Sequence, residues 1–168
     1  MNIADINCGV CKLINYLPDT CYHYYYANDL DNSLVRLSKK ELCGVAKTNI
    51  DRTVIIERLD DRKVPRRLAD SGIAVDVLCC LGFGHQFNHH ESQTVKETLL
   101  QITDEHKPQY IIVGVAEEVD NKTGHFTDLC NKIKTRGYIA VKEIRLNVDR
   151  NAEGEWLNRL ISFFEREE

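Results

Sequence analysis

The first thirty residues constrain the fold more than any other part of this 168-residue chain. A short apolar segment over residues 2–6 runs into a tight turn at Cys8-Gly9-Val10-Cys11 and then an amphipathic stretch. The aromatic segment from Tyr22 to Asn28 follows, closed by the acids Asp29 and Asp31. A strand, a glycine turn, a helix start and a carboxylate about 20 residues after the glycine form the layout of a nucleotide-type cofactor site in an α/β sheet.

The rest of the chain keeps alternating apolar and turn signals, which predicts strands interleaved with helices. Residues 11–17 read as a helix stopped near Pro18, and residues 32–43 as a helix with Leu34, Val35, Leu37 and Leu42 on one stripe. Residues 53–59 read as a third strand, followed by Asp60 and Asp61, and residues 64–71 as a short helix entered through Pro65 and closed by Gly72. Residues 75–81 carry one charge, Asp76, in an apolar run, as expected of a central strand covered on both faces. A helix over 93–106, a strand over 110–116 and a helix over 124–136 come next, with Gly137 just past the helix end. Residues 138–146 and 156–164 read as two strands of a hairpin, the last of which is also compatible with a helix. Five β/α units and a hairpin predict one Rossmann-like domain over residues 1–168: a doubly wound, mainly parallel sheet with an antiparallel strand near the carboxyl terminus.

Charge and composition narrow the class. A net charge of −4, with 29% charged and 43% hydrophobic residues, describes a globular chain and excludes a disordered tail or a dedicated polyanion binder. Nucleic acid stays open as a partner. Seven cysteines in an odd, scattered set make a poor disulfide framework, so a reducing, cytoplasmic location is expected. Cys79 and Cys80 lie in an apolar run and read as buried thiols. No apolar stretch approaches the roughly 20 residues that cross a bilayer, so no membrane partner is expected.

The order of elements, with the residues at the strand ends, resembles the class I S-adenosylmethionine-dependent methyltransferase superfamily over nearly the whole chain. Its first motif is a strand, an acidic residue and a loop with up to three glycines. Asp5 takes the acidic place and Gly9 the middle glycine, while Asn7 and Cys11 stand where glycines are usual. The resemblance implies S-adenosylmethionine as cofactor, with Asp5, Asn7, Gly9 and Leu81 lining its site. Asp29 would accept hydrogen bonds from both ribose hydroxyls, and Asp60 or Asp61 would read the adenine amino group. One carboxylate matches two vicinal hydroxyl donors, and such charge-assisted bonds are about twice as strong as neutral ones. Asparagine tolerates φ > 0 better than most residues, whereas Cys11 brings a side chain to a place of close approach. With only Met1 ahead of the first strand, the resemblance also implies an open site, or a homo-oligomer or partner subunit that completes it.

A narrower resemblance is to cytosine-5 DNA methyltransferases. Ala27-Asn28-Asp29-Leu30-Asp31 resembles their second motif, and Lys107-Pro108-Gln109-Tyr110 through Val115 the strand carrying their Glu-Asn-Val. Gly84 falls on the position of their nucleophilic cysteine and Gly114 near that of their glutamate, so their covalent mechanism has no thiolate here.

Other groupings compete for chemistry. Cys8-Gly9-Val10-Cys11-Lys12 also resembles a thioredoxin active site, but the facing proline-led strand is missing, and space-filling thiols in a cofactor loop are the simpler reading. The segment Gly82 to Glu91 follows the fourth strand, where open α/β sheets bind ligands. There His85 is the candidate general base and Asn88, or His89, its orienting partner. His89-His90-Glu91 also reads as a solvated helix start. His85, His89 and His90 lack the spaced partners of a zinc signature, so no metal is assigned. The cluster Arg62-Lys63-Val64-Pro65-Arg66-Arg67 reads as a salt-bridged loop rather than a phosphate-binding patch, and Tyr22, Tyr24, Tyr25 and Tyr26 as strand packing rather than a base-stacking platform.

The expected activity is methyl transfer from S-adenosylmethionine to an unidentified acceptor held over the loop after the fourth strand. The alternative is a catalytically degenerate methyltransferase-like subunit that binds or regulates a partner. Dithiol redox chemistry at Cys8 and Cys11 is the third reading.

Overall fold

The computed structural model describes residues 1–9, 11–18, 21–42, 52–83, 89–150 and 156–167. Its strands are β1 (Asn2–Ile6), β2 (Tyr24–Asp29), β3 (Thr53–Arg58), β4 (Val77–Phe83), β5 (Tyr110–Ala116), β6 (Tyr138–Arg150) and β7 (Trp156–Arg166). Its α-helices are α1 (Asn32–Leu42), α2 (Val64–Ser71), α3 (His89–His106), α4 (Glu117–Thr123) and α5 (His125–Lys134). The strands form one seven-stranded sheet in the order β3-β2-β1-β4-β5-β7-β6. All neighbours are parallel except that β7 runs antiparallel to both β5 and β6. The sheet is therefore doubly wound, and the chain reverses direction in space between β1 and β4, where such sheets open a crevice at their carboxyl edge.

The apolar runs explain the central strands. Ala4, Ile6, Tyr24, Tyr26, Leu78, Cys80, Ile111 and Val113 share one core, into which α2, α3 and α5 place Val64, Leu68, Leu99, Ile102, Phe126, Leu129 and Ile133. Ile3, Tyr25, Ala27, Ile56, Val77 and Cys79 form the core on the opposite side, with Cys11, Ile14, Tyr22 and Val35. The tyrosines thus alternate between two cores as the two-residue period of β2 requires, and Cys79 and Cys80 are both buried thiols.

Five elements depart from the sequence expectation. The segment after the first turn is a 3-10 helix of five residues, Lys12–Tyr16, in place of the helix expected over 11–17, and it ends ahead of Pro18 as expected. Strand β4 extends to Phe83, so Gly82 lies inside it, with a register irregularity between Cys80 and Phe83. Helix α3 starts at His89, ahead of the expected Gln93, and α4 is an additional short helix ended by Gly124 at φ 64°. The hairpin is longer than its apolar pattern suggested, with Asn147, Asp149 and Arg150 of β6 pairing to Asn158, Leu157 and Trp156 beyond the end of β5.

The second face of the sheet is only partly covered. Over β5, β6 and β7 the side chains of Ile112, Ile144, Ile161 and Phe163 stay half-buried, and Ile139 and Leu146 are exposed. No helix among the described residues is long and apolar enough to cross a membrane.

Packing is tight where β4, β5 and β7 meet. A Cβ added at Gly114 would lie 3.3 Å from Ile161 Cγ1 and 3.5 Å from both Leu81 Cδ2 and the Leu160 carbonyl oxygen. A branched side chain there overpacks the junction. Gly114→Val is expected to destabilise the fold by about 1–3 kcal/mol, read as a lower urea midpoint with unchanged slope.

Candidate cofactor and acceptor site

The turn after β1 has an alternating backbone pattern. Asn7, Gly9 and Cys11 have φ of 55°, 59° and 54°, all in the left-handed region. That region is uncommon for residues with a Cβ. Its occurrence at every second position reproduces the spacing of the three glycines in the motif that this segment resembles. The turn closes through a hydrogen bond from Cys11 N–H to the Cys8 carbonyl (3.0 Å), and Cys8 N–H donates to the Asn28 carbonyl (2.9 Å).

The two non-glycine residues send their side chains away from the turn's outer side. Cys11 is buried against Ile3, Ile14, Tyr22 and Tyr25, so apolar burial offsets the unfavourable dihedral. Asn7 donates from Nδ2 to the Gly82 carbonyl (3.2 Å), tying the turn to the end of β4. Above Gly9 the space is open, since a Cβ built there meets nothing within 4 Å.

Asp29, at the end of β2, faces this turn. Gly9 N–H donates to Oδ2 and Asp31 N–H to Oδ1, each at 2.8 Å. Each oxygen keeps a further lone pair for an additional donor. The nearby Asp31 has a different task. Its Oδ1 accepts from Ser33 N–H at 2.7 Å and so caps the start of α1.

Beneath the turn lies a buried polar chain that motif reasoning did not reveal beyond Asp5 itself. The Cys11 thiol donates to the Tyr25 hydroxyl (3.7 Å), which donates to Asp5 Oδ2 (2.6 Å). Asp5 is 3% exposed. Burial raises its carboxyl to about 7; the Tyr25 hydrogen bond works the other way, and the negative charge of Asp29 adds to the rise. Tyr25 is pushed up by burial first and by Asp5 next. The period of β2 puts Tyr25 on the side of Ala27 and Asp29, which is the one sequence signal that pointed to it.

On the other face of β2, Asn28 is fully buried and donates from Nδ2 to Asp61 Oδ1 (2.8 Å) and the Leu59 carbonyl (3.3 Å). Its Oδ1 is buried with no partner among the described residues. Asp60 is engaged differently. Both of its carboxylate oxygens hold the Arg62 guanidinium, at 2.9 and 2.5 Å, and that pairing lowers its pKa to about 2. The structure therefore brings Asp61 against β2 and leaves Asp60 on the outer side with Arg62. Arg66 and Arg67 pair with Asp70 and Glu57, so this basic cluster is a salt-bridged surface.

Leu81 sits at the end of β4, its carbonyl accepting from Arg159 Nη1 of β7 (3.2 Å). Arg159 was not singled out from the sequence, because only the antiparallel insertion of β7 carries it to β4. His85 and Asn88 lie outside the described residues, as do the side chains of His89, His90 and Glu91. Asp5, Asn7, Gly9 and Asp29 are thus one connected group, joined to β4 through Gly82, whereas Asp60 and Asp61 approach from β3.

Comparison with known proteins agrees with this architecture. No protein-family model and no curated protein matches the chain in sequence. Solved structures do match in fold. Magnesium protoporphyrin IX methyltransferase from Synechocystis PCC 6803, with bound S-adenosylmethionine, aligns with 99% of this chain and 70% of its own at TM-score 0.68 and 15% identity. The methyltransferase domain of a bacterial Hen1 aligns over 99% of this chain and 90% of its own at TM-score 0.68 and 14% identity. M. capricolum TrmK, in complex with S-adenosylhomocysteine, aligns over 100% and 63% at TM-score 0.66 and 14% identity. The chain has the class I methyltransferase fold.

The Asp5 environment has a pH signature. The native carboxyl holds its proton up to about 7, whereas the unfolded one loses it near 4. Between these values the native state binds more protons, so the contribution of Asp5 to stability is greatest below about pH 4 and is lost as pH rises to about 7, at up to about 1.4 kcal/mol per pH unit. Asp5→Asn is expected to remove this falling component, seen as the difference between parent and variant urea stabilities across that range.

Proposed function

We propose that this protein is an S-adenosylmethionine-dependent methyltransferase. The cofactor would lie at the carboxyl edge of β1 and β2, between the Gly9 turn and Asp29. The single observation that carries the reading is the juxtaposition of this turn, left-handed at all three motif positions, with a buried carboxylate 20 residues on. The class I methyltransferase fold around it supports the same conclusion, because S-adenosylmethionine is the expected cofactor of that fold.

The residues fit such a group. Open space over Gly9 leaves room for the methionine end to approach the backbone. Asp29 retains lone pairs for the two ribose hydroxyls while its backbone donors hold it in place. On the β3 side, Asp61 and the unpartnered Asn28 Oδ1 offer acceptors for an adenine amino group, and Asp60 is the second candidate. Leu81, near the end of β4, is the candidate apolar wall of the site.

When bound, S-adenosylmethionine supplies a methyl group activated by its sulfonium. The protein's part is to orient an acceptor in line and to exclude water, so proximity and desolvation account for much of the expected acceleration. In this reading His85 takes the acceptor proton and Asn88 orients it, both in the sequence between β4 and α3. The solved structures of this fold include enzymes named for a porphyrin acceptor and an N-methyltransferase, so the acceptor of this chain does not follow from its fold.

Calorimetric titration of the folded protein with S-adenosylhomocysteine tests the proposal. Binding is expected, and absence of heat at millimolar ligand overturns it. Asp29→Ala is expected to weaken that binding by more than about 1.5 kcal/mol, the scale of a hydrogen bond to a charged group, and unchanged affinity removes Asp29 from the ribose role. With methyl-labelled S-adenosylmethionine and fractionated nucleic acid, protein and small molecules as acceptors, His85→Ala is expected to lower transfer about 10²-fold or more with cofactor affinity retained. Binding without any transfer in the parent would favour a degenerate, regulatory subunit.

A further inference from the structure

We propose that Cys8 and Cys11 form a reversible dithiol/disulfide pair built into the turn after β1, with Cys8 as the attacking thiol and Cys11 as the resolving one. The inference stands on the geometry of this turn and needs no cofactor.

The two residues are the first and fourth of a hydrogen-bonded turn, with Cys11 N–H donating to the Cys8 carbonyl at 3.0 Å. Such a turn keeps its end Cα atoms within about 7 Å, and a disulfide spans roughly 4.4–6.8 Å between Cα atoms. The Cys8 thiol, which donates to the Gly9 carbonyl at 3.6 Å, and the Cys11 thiol sit at the two ends of this one hydrogen-bonded turn. Both thiols are free in the structure.

Exposure separates their roles. Cys11 is 1% exposed and its thiol donates inward to the Tyr25 hydroxyl, whereas Cys8 is half-buried. A disulfide oxidant of the glutathione class therefore meets Cys8 first. The Cys8 thiolate attacks one sulfur of oxidised glutathione, that disulfide breaks, and one glutathione thiolate leaves. Cys11, deprotonated, then attacks the Cys8 sulfur and expels the second glutathione thiolate. Two thiol protons pass to the departing thiolates, and two electrons reduce the oxidant to two reduced glutathiones.

The setting differs from that of a fast catalytic dithiol. Asp5 and Asp29 lie nearby, and Cys8 is pushed up by Cys11, by burial and by these carboxylates. Exchange should be slow at neutral pH and quicken toward alkaline pH. The cross-link would fasten the turn that presents Gly9 to Asp29 without altering the Tyr25–Asp5 hydrogen bond below it.

The test is intact mass and peptide mapping after incubation with oxidised glutathione at mildly alkaline pH. The parent is expected to lose two hydrogen atoms, with Cys8 linked to Cys11, and to regain them with a reductant. Cys11→Ser should halt at a single glutathione adduct on Cys8, while Cys8→Ser should leave Cys11 unmodified in the folded protein. A parent that stops at the Cys8 adduct, a bond from either sulfur to Cys21, or a Cys11 that reacts as readily as Cys8 each overturns the proposal. So does a parent in which Cys8 and Cys11 stay reduced while Cys21 is modified.

Discussion

The carboxylate of Asp29 organises the functional edge of this molecule. It accepts the N–H of Gly9 from the turn after β1 and the N–H of Asp31 at the entry to α1. Two loops that would otherwise end in unsatisfied donors at a buried sheet edge are thereby joined through one side chain. A carboxylate accepting backbone N–H bonds is stronger glue than a neutral acceptor, and its position at the parallel junction of β1 and β2 makes the crevice a property of the sheet. The Ser38 hydroxyl of α1, which also approaches the Gly9 carbonyl at 3.4 Å, extends the same clamp to the helix.

A second acid beneath the first is handled by the opposite means. Asp5 lies on the same face as Asp29, in a dry layer with Tyr25 and Cys11, and burial favours its neutral form. Two nearby carboxyl groups can share a face because one is neutral over much of the pH range below 7 and the other is held by backbone donors. Cys11 completes the arrangement. A glycine would relax the left-handed dihedral but would leave a gap under Tyr25, and the thiol fills it while donating to the tyrosine hydroxyl.

Much of the fold was legible in the chain itself. The aromatic run from Tyr22 to Asn28 and the near-continuous apolar run around Cys79 predicted strands packed on two faces, and β2 and β4 are strands with cores on each face. The hairpin from Tyr138 onward was visible as two apolar segments around a polar loop. After Cys11 the stop near Pro18 was legible, but the 3-10 winding of Lys12–Tyr16 was not, because an amphipathic pattern over one or two turns does not separate the two helix types. Helix α3 starts at His89, the solvated helix start that the sequence also offered beside the apolar boundary at Gln93. Within the site, Gly9 and Asp29 were readable from spacing and Asp5 from the family resemblance, whereas Asn28 and Arg159 were not. Asn28 matters through a residue 33 positions away, and Arg159 through one 78 positions away.

The sequence by itself determined the alternation of strands and helices, the glycine turn, and the acids at the strand ends, because each is set by local periodicity and by the few residues that tolerate a given dihedral. Tertiary structure alone decided which acid does what. Asp29 and Asp31 are two residues apart and chemically identical, yet one clamps the turn and the other caps a helix. Asp60 and Asp61 are adjacent, yet one is turned out to Arg62 and the other in to Asn28. Side-chain direction relative to a neighbouring strand assigns these roles, and that direction exists only once the sheet has formed.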